Sequence, residues 1–188
     1  MKHRIHRLAA ATTLALAGLL GSAAAQAGSV VVDVAGAQSV NLLGEAGNTV
    51  WFIDIGAHAV LKALDWSVTL EAFAPSSLSE MQLSFGSASG LELFTFAPGE
   101  ADFGSGSGSY SGSLDLAGLG IAAGADGKLR IEFSEGYKDL ALGVAEGQWV
   151  GGQLTFDVSA VPEPASAALM LLGGLGLGLA AARRNRRG

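Results

Sequence analysis

The chain has 188 residues, no cysteine and a formal net charge of −6. That charge hides a division: between residues 28 and 160 four Lys and Arg stand against sixteen Asp and Glu, a net of −12, while both ends are basic. Without cysteine there are no disulfides, thiolate metal sites or thiol nucleophiles, and so acidic a middle repels phosphate backbones, which argues against nucleic acid as a partner.

The first element is an export signal. Residues 1–7 carry Lys2, Arg4 and Arg7 with no acid, residues 8–20 are apolar, and Ala25-Gln26-Ala27 is a small-x-small cleavage site. The apolar run is too short to span a bilayer, so residues 1–27 read as a signal peptide. Signal peptidase is expected to cut after Ala27, with Ala25 the second choice, once the chain has passed the secretion translocon. His3 and His6 are lost with it.

Residues 28–160 follow as one domain, long enough to bury a core without staples. Its strands are short and punctuated. Residues 29–34 (SVVVDV) form a continuous β-branched run, and 49–55 (TVWFIDI) are apolar on both parities, as in a strand covered on both faces. Residues 60–64 read as a helical turn. Residues 65–73 (DWSVTLEAF) place Trp66, Val68, Leu70 and Ala72 on one face. Strands are also expected at 78–85, 91–96 and 109–116. Residues 104–112 (GSGSGSYSG) read as a flexible loop or poorly specified edge strand, with a long hairpin tip expected there. In 128–133 (KLRIEF) Leu129, Ile131 and Phe133 point inward and Lys128, Arg130 and Glu132 outward. In 149–158 the Gly151-Gly152 pair marks a bulge or bend. About eight short strands, with turns at 75–77, 97–99 and 125–127, predict an all-β antiparallel sandwich or jelly roll.

The domain offers little that reads as catalysis. His58 is the one histidine left after export, no Gly-x-Ser-x-Gly elbow is present, and one imidazole cannot supply a metal site, so no metal ligands are assigned. Glu71, Glu92 and Glu132 fall outward and are the candidates for a hydrolase's acid pair, but outward acids are also the ordinary solvent face of a strand. No cofactor is expected. The acidic surface leaves room for calcium, without an EF-hand pattern to place it. Trp51 and Trp66 fall on core parities. Tyr110, Tyr137 and Trp149, beside Gly or Ser, are the candidate glycan contacts.

The last element runs from Val161 to Gly188. Val161-Pro162-Glu163-Pro164 is a stiff tetrapeptide that stops any helix running through from upstream. Residues 165–182 are uncharged and mostly apolar, and as a transmembrane helix they reach roughly 27 Å, just short of a ~30 Å hydrocarbon core. Arg183, Arg184, Arg186 and Arg187 act as a stop-transfer cluster on the cytoplasmic side. The orientation agrees with the signal peptide. An ordinary single-pass anchor on a proline stalk is the other reading of these residues.

Tetrapeptide, Gly/Leu-rich run and closing arginines, in that order at the chain end, resemble the PEP-CTERM sorting signal of Gram-negative bacteria. The resemblance covers residues 161–188 alone. It implies recognition by exosortase, a membrane enzyme that acts near the Pro-Glu-Pro, a transient inner-membrane anchor, and delivery to the cell surface or the extracellular medium. Members of that family are commonly linked to exopolysaccharide and biofilm matrix, so the resemblance also implies an exopolysaccharide partner. The expectation is a non-catalytic structural or adhesive protein of the matrix; a glycan-binding module is the alternative and a secreted hydrolase the third reading.

Overall fold

The computed structural model describes residues 27–159. The signal peptide, the tetrapeptide, the apolar run and the terminal arginines lie outside the described residues, except for Ala27.

Nine strands follow one another: β1 (Ala27–Asp33), β2 (Gln38–Ser39), β3 (Thr49–Asp54), β4 (Val60–Ala72), β5 (Met81–Ser87), β6 (Leu93–Phe96), β7 (Gly106–Asp115), β8 (Lys128–Glu135) and β9 (Gly147–Ser159). They form two antiparallel sheets. The first has the order β1-β9-β4-β7, with β2 added beside β9; the second has the order β3-β8-β5-β6. The pairs β1·β9, β3·β8, β4·β7 and β5·β6 nest inside one another along the chain. That is a long antiparallel ribbon rolled up on itself, the connectivity of a jelly roll.

The fold follows from period-two patterning. In β4, Leu64, Val68, Leu70 and Ala72 are buried, while Asp65, Ser67 and Glu71 face water. In β8, Leu129, Ile131 and Phe133 are fully buried, on the parity expected from the sequence. Aromatic rings join the two sheets: Phe85 meets Phe156 at 5.2 Å between centroids, Phe133 meets Trp149 at 5.0 Å and Trp66 meets Phe96 at 4.9 Å. The contacts are tilted or edge-on, as ring quadrupoles favour.

Four expectations are corrected. Residues 60–64 are the start of β4, because Val60 and Leu61 pair with Ser159 and Val158 of β9; long-range pairing overrides a local helical turn. The strand at 49–54 is not covered on both faces, since β3 is an edge and Phe52 is 54% exposed. Of the readings of the Gly-Ser run, the edge strand holds and the hairpin tip does not. The run forms β7, in unbroken register with β4 from Gly106 opposite Ala72 to Asp115 opposite Ala63. Its glycines face inward because ring space is needed there: a Cβ on Gly108 would lie 2.3 Å from the Tyr110 hydroxyl, and one on Gly112 would lie 2.5 Å from the Trp66 ring. Finally, Glu132 faces the outer side of its sheet yet is fully buried, for reasons given below. The bulge does occur in β9: Thr69 pairs with Gly151 and Leu70 with Trp149, so Val150 is the extra residue.

Candidate functional site

The two ends of the described residues, Ala27 and Ser159, pair at one end of the first sheet. Ala27, the residue before the expected signal-peptide cut, pairs with Ser159, and Ser159 pairs in turn with Val60. The ladder therefore runs to within two residues of Val161, where the tetrapeptide begins. Ala25, Val161, Pro162, Glu163, Pro164, Arg183, Arg184, Arg186 and Arg187 lie outside the described residues. At the same end, the 116–127 segment joins the start of β4 through Leu61 N–H to Ile121 carbonyl at 2.9 Å and Ala123 N–H to Ala59 carbonyl at 2.9 Å. A groove of about 490 Å³ opens there between Leu93, Phe94, Leu119 and Ile121, with Glu92 the ionisable group on its wall. His58 lies in a nearby turn with φ 57°, exposed, its N–H bonded to the Gly124 carbonyl.

The three candidate glycan contacts are scattered. Trp149 is not in a loop. It is a fully buried residue of β9, edge-on to Phe133, and offers no ring face to a sugar. The bulge beside it explains the difference: the glycines that suggested a loop bend the strand after Trp149 has turned inward. Tyr110 lies half-buried on the inner side of β7, and its hydroxyl donates to Asp102 at 2.8 Å. Burial and the Asp102 carboxylate push the phenol up to about 12. The same hydrogen bond and the Gly104 N–H hold Asp102 below the usual carboxylate range. Tyr137 is exposed at 63%, in the 136–146 segment.

The hydrolase candidates are divided between the sheets, with Glu92 in the turn before β6 of the second. Glu71 faces water from β4 in one sheet, and Glu132 lies on β8 in the other. Glu132 forms an ion pair with Arg130 and accepts from Gly44 N–H and Asn48 Nδ2, each at 2.8 Å. Residues 41–48 thus roof the outer face of the second sheet and shut water off from an acid that parity alone would leave solvated. A buried carboxylate with three partners is a satisfied structural anion.

A second buried polar cluster was missed by sequence reasoning. Lys138 reaches the carbonyls of Val40 and Val144 and the carboxylate of Glu146, the last at 2.9 Å, so all three ammonium protons are engaged. Burial alone would raise Glu146, but Lys138 and the N–H groups of Leu140 and Asp139 outweigh it and hold the group below the usual range. Glu135 lies beside it with no cation. Burial above all pushes it up to about 8; Ser39 pulls the other way, the charges of Glu146 and Glu80 add to the rise, and Ser76 opposes it least. Asp139 is raised by desolvation and by the same two glutamates. The cluster ties the 40–48 and 136–146 segments over the open end of the sandwich. One signal in the sequence could have found it: with only four bases for sixteen acids, a lysine or arginine in this domain is a counter-ion worth tracing.

Among the described residues no group of three or more His, Asp or Glu is arranged to hold a metal ion, and no helix is long and apolar enough to cross a membrane.

Comparison with known proteins gives one family match and remote structural likenesses. Residues 160–187 match the model of the PEP-CTERM protein-sorting motif. No curated protein matches the chain. Among solved structures, dimeric latent PorU from Porphyromonas gingivalis aligns at 10% identity and a TM-score of 0.36, over 74% of this chain and 14% of that one. Tobacco streak virus coat protein aligns at 15% identity and a TM-score of 0.27, over 72% of this chain and 88% of that one. This chain thus spans a small part of the first and most of the second. The chain carries a PEP-CTERM protein-sorting motif at its C-terminal end, and with it the mark of an exported protein processed by an exosortase-type membrane enzyme.

Proposed function

We propose that this protein is a non-catalytic structural or adhesive component of the cell surface or the surrounding exopolysaccharide matrix, carried as residues 28–160 between a removable signal peptide and a sorting tail at 161–188. The observation that carries the reading is the sorting motif at residues 160–187, which follows in sequence directly after a β domain whose last strand ends at Ser159. Such a domain is a durable object to display. Of the acids that would serve a hydrolase, Glu71 and Glu132 lie on different sheets and Glu132 is held by Arg130, which favours a non-catalytic reading. The loss of Trp149 from the surface and the restraint on Tyr110 leave Tyr137 as the one freely exposed candidate for sugar contact, so the structural role is favoured over a glycan-binding module.

Two experiments test this. In the native host, the chain with Pro162→Ala and Pro164→Ala should accumulate in the inner membrane while the wild type reaches the surface or the medium. Recovery of most wild-type protein from the cytoplasm sinks the reading. Purified residues 28–160 are then mixed with the host's exopolysaccharide, with and without calcium. Retention in the matrix fraction that survives Tyr137→Ala supports a structural role; retention abolished by that change moves the assignment to glycan binding.

A further inference from the structure

We propose that the open edge of β7 is a self-association surface, through which two copies of this chain join their first sheets into one continuous sheet by antiparallel pairing centred on Tyr110. The inference rests on the geometry of β7 and goes beyond the matrix role: a chain that self-associates without reaching the matrix, or the reverse, separates the two.

β7 ends its sheet. Its ten residues pair with β4 on one side without a register shift. Among the described residues, no backbone hydrogen bond is made from its other side. Ser107, Ser109, Ser111 and Ser113 are exposed along it. Natural sheets guard such an edge by shortness, by proline, by a bulge or by charge. β7 has none of these from Gly106 to Leu114. The other edges are shorter: β6 has four residues, β3 six and β1 seven.

Two features select a second copy as the occupant. The first is sequence symmetry. Residues 107–113 read SGSYSGS, the same in both directions about Tyr110. Antiparallel pairing about that residue sets Ser109 opposite Ser111 and Gly108 opposite Gly112, so the edge is complementary to itself, as a two-fold interface requires. Serine hydroxyls meet serine hydroxyls on the outer face, a favourable cross-strand pair, and on the inner face glycine meets glycine on either side of a central Tyr110–Tyr110 pair. The second is charge. Residues 28–160 carry a net −12, so two copies repel over most approaches. The stretch 106–114 itself carries no charge, and pairing about Tyr110 sends the two Asp115 residues to opposite ends of the contact.

The strip is ~33 Å long and covers only a few hundred Å² per copy, well below the ~800 Å² per partner of a standard interface. Pairing is therefore weak for free molecules and effective where copies are held at high local concentration, as on a membrane or in a matrix. The two-residue Gly-Ser period also permits a slip by two positions that keeps serine opposite serine.

The absence of cysteine makes the test clean. Full-length chains bearing Ser109→Cys and Ser111→Cys, with different epitope tags, are expressed together and oxidised in isolated membranes. The expected result is a mixed-tag disulfide dimer forming at least ten-fold faster than dimers of a Ser29→Cys chain, whose cysteine lies on the opposite edge of the same sheet. Adding Lys at Ser107 and Ser113 of both chains, which sets like charges opposite one another, should abolish it. Faster dimers from Ser109→Cys alone also support edge pairing, in the slipped register. Equal rates at Ser29 and at the β7 positions, insensitivity to the added lysines, or cross-linking of β7 to a different protein instead of to itself overturns the proposal.

Discussion

The two outer faces of the sandwich carry the same kind of side chain to opposite ends. On the first sheet, Asp65, Ser67, Glu71, Gln153 and Asp157 stand in water. On the second, residues 41–48 lie over β8 and the backbone of the 88–92 turn lies over β5, so that Glu132, Ser84 and Gly86 are buried. Glutamate at an outward position is solubility on one face and an internal counter-ion on the other. The lesson is that strand parity decides which side of a sheet a residue takes, while the covering loop decides whether that side is wet.

The sharpest break of the comparison is to remove a carboxylate from each face. Glu132→Ala leaves Arg130 under the roof without its ion partner, and strands the Gly44 and Asn48 donors. It should cost ~3–5 kcal/mol, against within ~0.5 kcal/mol for Glu71→Ala on the open face. Urea midpoints of residues 28–160 read the difference, and equal midpoints for the two variants would refute the roof.

Next in size is the pH response of the covered end. Glu135 keeps its proton in the fold up to about pH 8, whereas a carboxyl at its ordinary value of 4.5 releases it far earlier. Between those values the unfolded chain binds fewer protons than the folded one, so stability falls as pH rises, by an amount on the order of a few kcal/mol. Glu135→Gln keeps an acceptor for Ser76 and has no proton to lose. Its thermal midpoint should exceed wild type at pH 8 by ~5 °C or more and converge with it near pH 4.5. A wild-type midpoint flat across that window would remove the buried neutral acid.

Smaller still is the glycine contrast. A Cβ on Gly86 would lie 2.1 Å from the Glu92 carbonyl, whereas one on Gly151 meets nothing within 4 Å. Gly86→Ala should lift the 88–92 turn and cost ~1–3 kcal/mol, with Gly151→Ala near neutral. The smallest effect is at Asp54, whose ion pair with Lys128 at 3.0 Å is exposed. Asp54→Ala should leave the urea midpoint unmoved, because solvent already screens the pair.

Much of this molecule was legible from its residues alone. Alternation in 65–73 and 128–133 gave the core faces of β4 and β8, the Gly151-Gly152 pair gave the bulge, and the tail gave the sorting motif. These are local signals: period two, glycine permissiveness, and a linear sorting motif. The failures share one cause as well. Residues 60–64 became strand because β9 pairs beside them, the Gly-Ser run took its edge-strand reading and not the hairpin tip because Trp66 and Tyr110 need its glycines for ring space, and Trp149 turned inward ahead of its bulge.

The sequence by itself determined that the chain is exported, that it is sorted through its C-terminal end, and that its middle is an antiparallel β domain. Only the tertiary structure decided which acids are dry, which aromatics are hidden and which strand is left with an open edge. Each of those depends on what lies across a sheet or over it, and side chains brought together from 84 or 88 positions apart, as at Glu132, leave no mark in the spacing of their neighbours.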